Sequence, residues 1–281
     1  MNLSGEVVVA VGLGPHDHVC WAYDDPAVFR DRAVEFVTQA VAGGYRVFFV
    51  ADDEFVRAHL AGFEAIQEAV RRGAVRIDSI AQRYTAGDVI DPERQVEIYA
   101  AATESALAVG YAGLRAVADV TRLVGSPEQL DAFARYESLV DRYTAGQPFS
   151  ALCAYNRTEL GDEVIAQVAC LHPKASAGAT PFHLHAPRDA EAGTLELSGE
   201  LDLLSREVFP LALDRVDSRA TESELVIDAT GLRFVDHNSM LALSELADRR
   251  EATVVLRTSG LMPARLVEIL DLRNVRVEAP L

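Results

Sequence analysis

Histidine and cysteine side chains able to bind a metal ion occur in two stretches of this 281-residue chain. In the first stretch His16, His18 and Cys20 alternate, so a β-strand would place all three side chains on one face. The second stretch supplies Cys153, Cys170 and His172. Converging side chains of this kind could hold a metal ion or a haem, or they could simply be satisfied polar groups on a half-buried strand. Structural zinc sites usually show close ligand pairs such as C-x₂₋₄-C. Because the sequence has no such pair, we predict no metal and no cofactor.

Aromatic and carboxylate side chains near the ends of predicted strands indicate a second kind of site, a pocket for a small organic ligand. Ligands of parallel α/β sheets bind beyond the carboxyl ends of the strands, and the ligand-binding residues predicted there are Tyr23, Asp24, Asp52, Asp119 and Tyr155. The alternative is ordinary core packing. Glu137 is also open to two interpretations, because it lies in an apolar helical pattern and could face either inward or toward solvent.

The elements that must position these residues alternate between short apolar runs and longer helical patterns. Strands are predicted at residues 19–23, 46–51, 75–80, 114–120 and 149–155. Helices are predicted to begin at acidic or Ser-Pro sequences, at residues 24–26, 52–54, 91–93 and 126–128. This alternation predicts an α/β fold with a mostly parallel sheet and helices on both faces.

A smaller α/β unit is predicted to follow the first. Residues 174–180 are small and polar and are interpreted as a linker between units at 1–173 and 181–281. In the second unit, strands are predicted at 182–186, 194–198, 224–228 and 253–257, and helices at 204–216, 237–249 and 262–270.

The lysine count excludes one large class of enzymes. Lys174 is the only lysine in the chain and lies outside any G-x-x-x-x-G-K-[ST] sequence, so a conventional P-loop NTPase is excluded. The motifs G-x-S-x-G, H-E-x-x-H and C-x-x-C are absent as well. We therefore predict that the protein is not an enzyme.

The charge balance limits the partners. With 43 acidic and 26 basic residues the net charge is −17, which argues against binding to nucleic acid or to an anionic membrane. A regulatory protein with a basic face is a better match. The N-terminus lacks the positive region of a signal peptide, and no apolar run approaches the length of a membrane span. These features predict a cytoplasmic protein with free thiols.

Three stretches of the second unit resemble the STAS domain of anti-sigma factor antagonists. They are Gly193–Asp202 with its Gly-Glu-Leu-Asp turn, Leu225–Asp236, and Arg257–Pro263 followed by Leu270–Leu272. The resemblance implies that an anti-sigma factor or related regulator docks on Asp202, Asp236, His237, Asn238 and Ser239. In that family a phosphorylatable Ser or Thr stands two residues after the aspartate. Here Asn238 takes that place, so Ser239 is either a displaced phosphorylation site or a small helix-packing residue.

The first unit resembles the MEDS domain, a sensory domain associated with a dichloromethane-responsive regulator and with methanogen proteins. The resemblance rests on His18–Tyr23, Gly43–Asp52, Arg135–Glu137, Leu152–Tyr155 and His172–Pro173. It implies a RecA/KaiC-like ATPase fold that has lost its P-loop. Tyr23-Asp24-Asp25-Pro26 stands at the P-loop position, where two carboxylates would repel phosphate.

Together these features predict a cytoplasmic signalling protein. Its first unit would sense a small molecule or a cellular state, and its second would pass that state to a regulatory protein. Two alternatives stay open: the first unit retains some nucleotide-binding or enzymatic function, or both units are a scaffold that only binds proteins.

Overall fold

The computed structural model describes residues 13–51, 59–80, 84–85, 87–187, 194–216 and 223–280. It contains a six-stranded sheet and a five-stranded sheet, each flanked by helices. The predicted α/β class, with a mainly parallel first sheet and a smaller second unit, is therefore confirmed.

The first sheet has the strand order β3-β2-β4-β5-β1-β6, and all of its strand pairs are parallel. Its strands are β1 (His18–Tyr23), β2 (Arg46–Ala51), β3 (Val75–Ser79), β4 (Leu114–Asp119), β5 (Phe149–Asn156) and β6 (Lys174–Ala175). Its helices are α1 (Pro26–Ala42), α2 (Glu64–Arg71), α3 (Pro92–Ala108), α4 (Pro127–Gly146) and α5 (Arg157–Ala169).

Three of these helices begin where the sequence predicts. The side chains of Asp25, Asp91 and Ser126 each accept a hydrogen bond from a backbone N–H of the first turn, and each is followed by proline. Such caps satisfy donors that the helix itself leaves unpaired. The predicted helix start at residues 52–54 lies outside the described residues. The described part of that region holds a 3₁₀ turn, Leu60–Gly62, and then α2.

The second sheet has the order β11-β10-β9-β8-β7, and only its β7–β8 pair is antiparallel. Its strands are β7 (Phe182–His185), β8 (Leu195–Leu201), β9 (Glu224–Val235), β10 (Thr253–Arg257) and β11 (Val275–Glu278). Its helices are α6 (Val208–Arg215), α7 (His237–Arg249) and α8 (Leu261–Ile269).

The segment predicted as a linker is hydrogen-bonded to the first sheet. Lys174 and Ala175 form β6 beside β1, and the Lys174 ammonium lies 2.8 Å from the Asp17 carboxylate. Ser176 continues this contact, because its hydroxyl accepts a hydrogen bond from the Ala22 N–H at 3.1 Å. The chain therefore runs along β1 before it enters the second unit.

Buried polar contacts join the two units. The Arg215 side chain is buried and donates to Asp131 of α4 at 3.1 Å and to Gln167 of α5 at 2.9 Å. The Leu184 N–H donates to the Cys170 carbonyl at 2.7 Å. One apolar core cluster contains Ala134, Cys170 and Leu171 of the first unit together with side chains of the second sheet.

No helix in the described part of the chain combines the length and the apolar character needed to cross a bilayer.

Candidate functional site

Polar side chains from four separate elements meet on one face of the first sheet, in the interior. We call this group, which is almost entirely shielded from solvent, the buried cluster; it consists of His18, Glu137, Asp141, Cys153, Tyr155 and His172. β1 and β5 are adjacent and parallel, so their alternating side chains bring His18, Cys153 and Tyr155 to the same face. Glu137 and Asp141 lie one turn apart on α4, on the surface that covers this face. His172 follows α5.

Glu137 is the centre of the buried cluster. Its Oε2 atom lies 3.1 Å from His18 Nε2, 3.6 Å from Cys153 Sγ and 3.5 Å from His172 Nε2, and its Oε1 accepts from the Tyr155 hydroxyl. Burial alone would raise the pKa of Glu137, but the charge and the hydrogen bond of the His18 imidazolium and the hydrogen bond from the Tyr155 hydroxyl lower it. Glu137 is thus an ionised carboxylate in the interior, and of its two predicted orientations the inward one is confirmed.

His18 lies between two carboxylates. Its Nδ1 is 3.1 Å from Asp141 Oδ1, and its Nε2 faces Glu137. Burial alone would lower the pKa of His18, but the hydrogen bonds to Asp141 and Glu137 raise it to about 9. Without any further cation, His18 is therefore an imidazolium that partly compensates the two acidic side chains.

His172 has the opposite character although its ring lies beside that of His18, with the centroids 4.0 Å apart. Burial and the neighbouring His18 lower the pKa of His172 to about 4, so its imidazole is neutral. Its Nδ1 donates to the Val168 carbonyl at 2.9 Å. Burial also raises the pKa of the Cys153 thiol and of the Tyr155 hydroxyl well above their usual ranges, so both keep their protons.

Four donor atoms of the buried cluster are close enough to bind one ion. Atoms from His18, Glu137, Cys153 and His172 all lie within 4.8 Å of one another. His16 does not join them. It lies in the turn before β1 with a φ of 70°, and its ring contacts the Thr144 carbonyl. Cys20 is on the correct face but is not among the four donors.

The predicted pocket residues divide between the two faces of the sheet. The Tyr23 hydroxyl donates to Asp119 at 2.9 Å, and Asp119 also accepts from the Thr121 hydroxyl at 2.7 Å. Asp24 is exposed in the turn that follows Tyr23. Tyr155 belongs to the buried cluster on the opposite face, and Asp52 lies outside the described residues. The structure therefore brings together Tyr23 and Asp119, leaves Asp24 exposed in the adjoining turn, and separates Tyr155 from them.

An apolar cleft lies on the same face as the buried cluster. We call it the aromatic cleft because Tyr84, Tyr99, Phe133 and Tyr136 contribute to its wall. Its cavity volume is about 30 Å³, which is the room that about one water molecule takes up. Its wall also includes Cys153, which links it directly to the buried cluster. The sequence does not predict this cleft, because its wall comes from the middle of strands β4 and β5 and from helix faces.

The five predicted docking residues lie at one end of the second unit. The Asp236 N–H donates to the Leu201 carbonyl at 2.9 Å, so the turn at Asp202 and the start of α7 are adjacent. Asp236 caps α7 by accepting from the Ser239 N–H and hydroxyl, both at 2.8 Å. Burial would raise the pKa of Asp236, but these hydrogen bonds lower it. Ser239 is buried, whereas His237 is exposed and Asn238 half-buried.

Comparison with known proteins identifies the first unit. Residues 17–173 match the family model described as "MEDS: MEthanogen/methylotroph, DcmR Sensory domain". A search of curated proteins found no match. The matched segment begins at the residue before β1, ends just after His172, and contains the whole buried cluster and the aromatic cleft. It covers more than half of the chain, and the protein therefore belongs to the family of the MEDS sensory domain.

Proposed function

We propose that this protein is a cytoplasmic signalling protein without catalytic activity. Its MEDS domain senses a small organic molecule, and its second unit, which resembles a STAS domain, transmits the signal by binding an anti-sigma factor or a related regulator. One observation carries this proposal: a single side chain, Asp141, contacts both the interior of the sensory domain and the backbone of the second unit.

The aromatic cleft supports the sensing role. Its wall is mostly apolar, with few polar groups such as Gln95 and the Tyr84 hydroxyl, which are 2.6 Å apart. Walls of this composition suit small organic ligands. The cavity of about 30 Å³ is smaller than such a ligand, so binding requires these side chains to move apart. Because Cys153 lines the cleft and contacts Glu137 and His18, an occupant of the cleft would lie against the buried cluster.

Asp141 supports the transmission of the signal. Its Oδ1 contacts His18 Nδ1 at 3.1 Å, and its Oδ2 accepts from the Ala186 N–H, just after β7, at 2.9 Å. His172 makes a second link, because its carbonyl accepts from the His183 ring at 2.7 Å. A rearrangement around His18 would therefore change hydrogen bonds that hold the edge strand of the second sheet.

The exposed surface of the second unit supports a docking role. Leu203, Leu204 and Leu261 are 75%, 77% and 82% exposed, and they lie at the carboxyl ends of β8 and β10, near Asp202 and Asp236. Large apolar side chains exposed together indicate a protein-binding surface. The neighbouring carboxylates favour a partner with a basic face.

We call the segment from Asp236 to Ser239 the docking loop, and we expect changes in it to alter partner binding without unfolding the protein. Asp236→Arg reverses a charge at the helix N-terminus and should weaken binding of the cognate anti-sigma factor by tenfold or more. Asn238→Asp adds one negative charge, as a phosphate would, and should change the affinity while stability stays within about 1 kcal/mol, since Asp also caps helices well. Affinities are measured by titration calorimetry with purified candidate anti-sigma factors.

Glu268→Arg is the matched control, because Glu268 is exposed near the far end of α8. It reverses the same charge on the same unit but away from the loop. Equal binding by the wild type, Asp236→Arg and Asn238→Asp would exclude the loop as the interface. An equal loss in Asp236→Arg and Glu268→Arg would point to a nonspecific charge effect and would also exclude it.

A further inference from the structure

His172 carries a polar atom without a partner in the interior. His172 is fully buried, and its Nε2 has no hydrogen-bond partner in the part of the chain that the structure describes. Its Nδ1 faces the Val168 carbonyl, which can only accept a hydrogen bond, so the ring proton lies on Nδ1 and Nε2 presents a lone pair. That lone pair faces Glu137 Oε2, another acceptor, at 3.5 Å. Two buried acceptors that face each other are unfavourable unless a cation lies between them.

Four of the six spacings between the donor atoms match a tetrahedral ion, and the other two, from His172 Nε2 to His18 Nε2 and to Cys153 Sγ, are within 4.8 Å. With Zn–N and Zn–O bonds of about 2.0–2.1 Å and a Zn–S bond of about 2.3 Å, neighbouring ligand atoms should be about 3.3 Å apart, or about 3.6 Å where one is sulfur. The oxygen–nitrogen distances here are 3.1 and 3.5 Å. The sulfur lies 3.7 Å from His18 Nε2 and 3.6 Å from Glu137 Oε2.

The surrounding groups orient the two imidazoles as metal ligands. In metal sites the second ring nitrogen of a ligating histidine usually donates to a carboxylate or a backbone carbonyl. Both arrangements are present: His18 Nδ1 faces Asp141 Oδ1, and His172 Nδ1 faces the Val168 carbonyl. Each ring therefore directs Nε2 toward Glu137 and Cys153.

We propose that His18, Glu137, Cys153 and His172 form a binding site for a divalent transition-metal ion, with Zn²⁺ the best match to this ligand set. Binding would release two protons to solvent, one from the Cys153 thiol and one from His18 Nε2. Two protons are thus exchanged for one divalent cation, so the net charge of the interior does not change.

This site goes beyond the proposed signalling function and does not depend on it. Four protein ligands fill a tetrahedral shell, so the ion has no open position and would stabilise or report on the fold rather than activate water. Cys153 also lines the aromatic cleft, so a cleft occupant would contact a metal ligand. The protein can bind a metal ion while the docking loop binds no partner, and it can bind a partner without a metal ion. Experiments can therefore contradict either proposal without contradicting the other.

Cobalt binding to the full-length protein tests the site. The purified chain is treated with a chelator, kept reduced and titrated with Co²⁺. We expect one equivalent to bind, with the visible bands of tetrahedral Co²⁺ and a near-ultraviolet thiolate-to-cobalt charge-transfer band. Zn²⁺ should then displace the cobalt. A folded wild-type chain that takes up no Co²⁺ or Zn²⁺ would overturn the proposal without recourse to any variant.

Two buried cysteines make a matched pair of variants. Cys153→Ser should abolish the charge-transfer band and weaken Co²⁺ binding at least 100-fold. Cys170→Ser should leave both unchanged, because Cys170 is equally buried but contacts the Gln167 carbonyl instead. Asp141→Asn, which alters only a supporting group, should weaken binding by about 10- to 100-fold while keeping the band. A charge-transfer band that persists in Cys153→Ser would contradict the assignment.

Discussion

Replacing Glu137 with alanine should lower the free energy of unfolding by about 3–5 kcal/mol, the usual cost of removing one partner from a buried ion pair. The truncation leaves the His18 imidazolium with a single carboxylate, Asp141, and deprives the Tyr155 hydroxyl of its acceptor. Urea unfolding in a buffer that contains a chelator measures the change independently of any bound metal.

Two further variants serve as comparisons for Glu137→Ala. Glu137→Gln keeps the shape and an acceptor oxygen, so it should be destabilised less than Glu137→Ala. Glu128→Ala removes a carboxylate from an exposed position in the first turn of the same helix and should change stability by only about 0.5 kcal/mol. If Glu137→Ala were as stable as Glu128→Ala, the ion pairs of the buried cluster would contribute nothing to the fold.

Tyr155→Ala should be the second large loss, about 3–5 kcal/mol, because it removes a fully buried aromatic ring. Tyr155→Phe keeps the ring and removes only the hydroxyl that donates to Glu137, so it should cost about 1–3 kcal/mol. The same unfolding measurement applies to both variants. If Tyr155→Phe were as stable as the wild type, the hydroxyl would contribute nothing to stability. If both variants lost the same stability, the ring itself would contribute nothing beyond the hydroxyl.

The sequence predicts most of the first sheet because its local signals are strong. The run from Val47 to Ala51 is uninterrupted and apolar, as expected of a central parallel strand. Asp91 and Ser126 are each followed by proline, and these pairs correctly predict the first residue of two helices. These signals act over a few neighbouring residues, so they need no knowledge of the tertiary structure.

The sequence does not predict the elements whose local signals are weak. The sequence predicts no helix at Arg157–Ala169, where Gly161 breaks the pattern with a φ of 78°. The pairing of Lys174 and Ala175 with β1 depends on a neighbour that is distant in the sequence. The extension of β9 from Asp228 to Val235 crosses Gly231 and Arg233, which resemble a loop.

The candidate site shows what residue spacing can and cannot predict. Alternation correctly placed His18 and Cys20 on one face of β1, but it could not show that Glu137, 119 positions from His18, faces the same space. The C-x₂₋₄-C criterion describes sites built on one local turn. It was uninformative here, because the four donors come from β1, α4, β5 and the segment after α5.

Coupling between the interior of the sensory domain and the second unit is tested most directly by amide hydrogen exchange in Glu137→Gln. Glu137 is linked to Ala186 only through other side chains. Glu137 contacts His18, and His18 contacts Asp141. Asp141 in turn accepts a hydrogen bond from the Ala186 N–H. Exchange is followed by mass spectrometry on peptides that contain residues 183–187, with Glu128→Gln as the control. We expect several-fold faster exchange of these amides in Glu137→Gln and wild-type exchange in Glu128→Gln. Unchanged exchange at residues 183–187 in Glu137→Gln, alongside faster exchange around His18, would contradict the coupling.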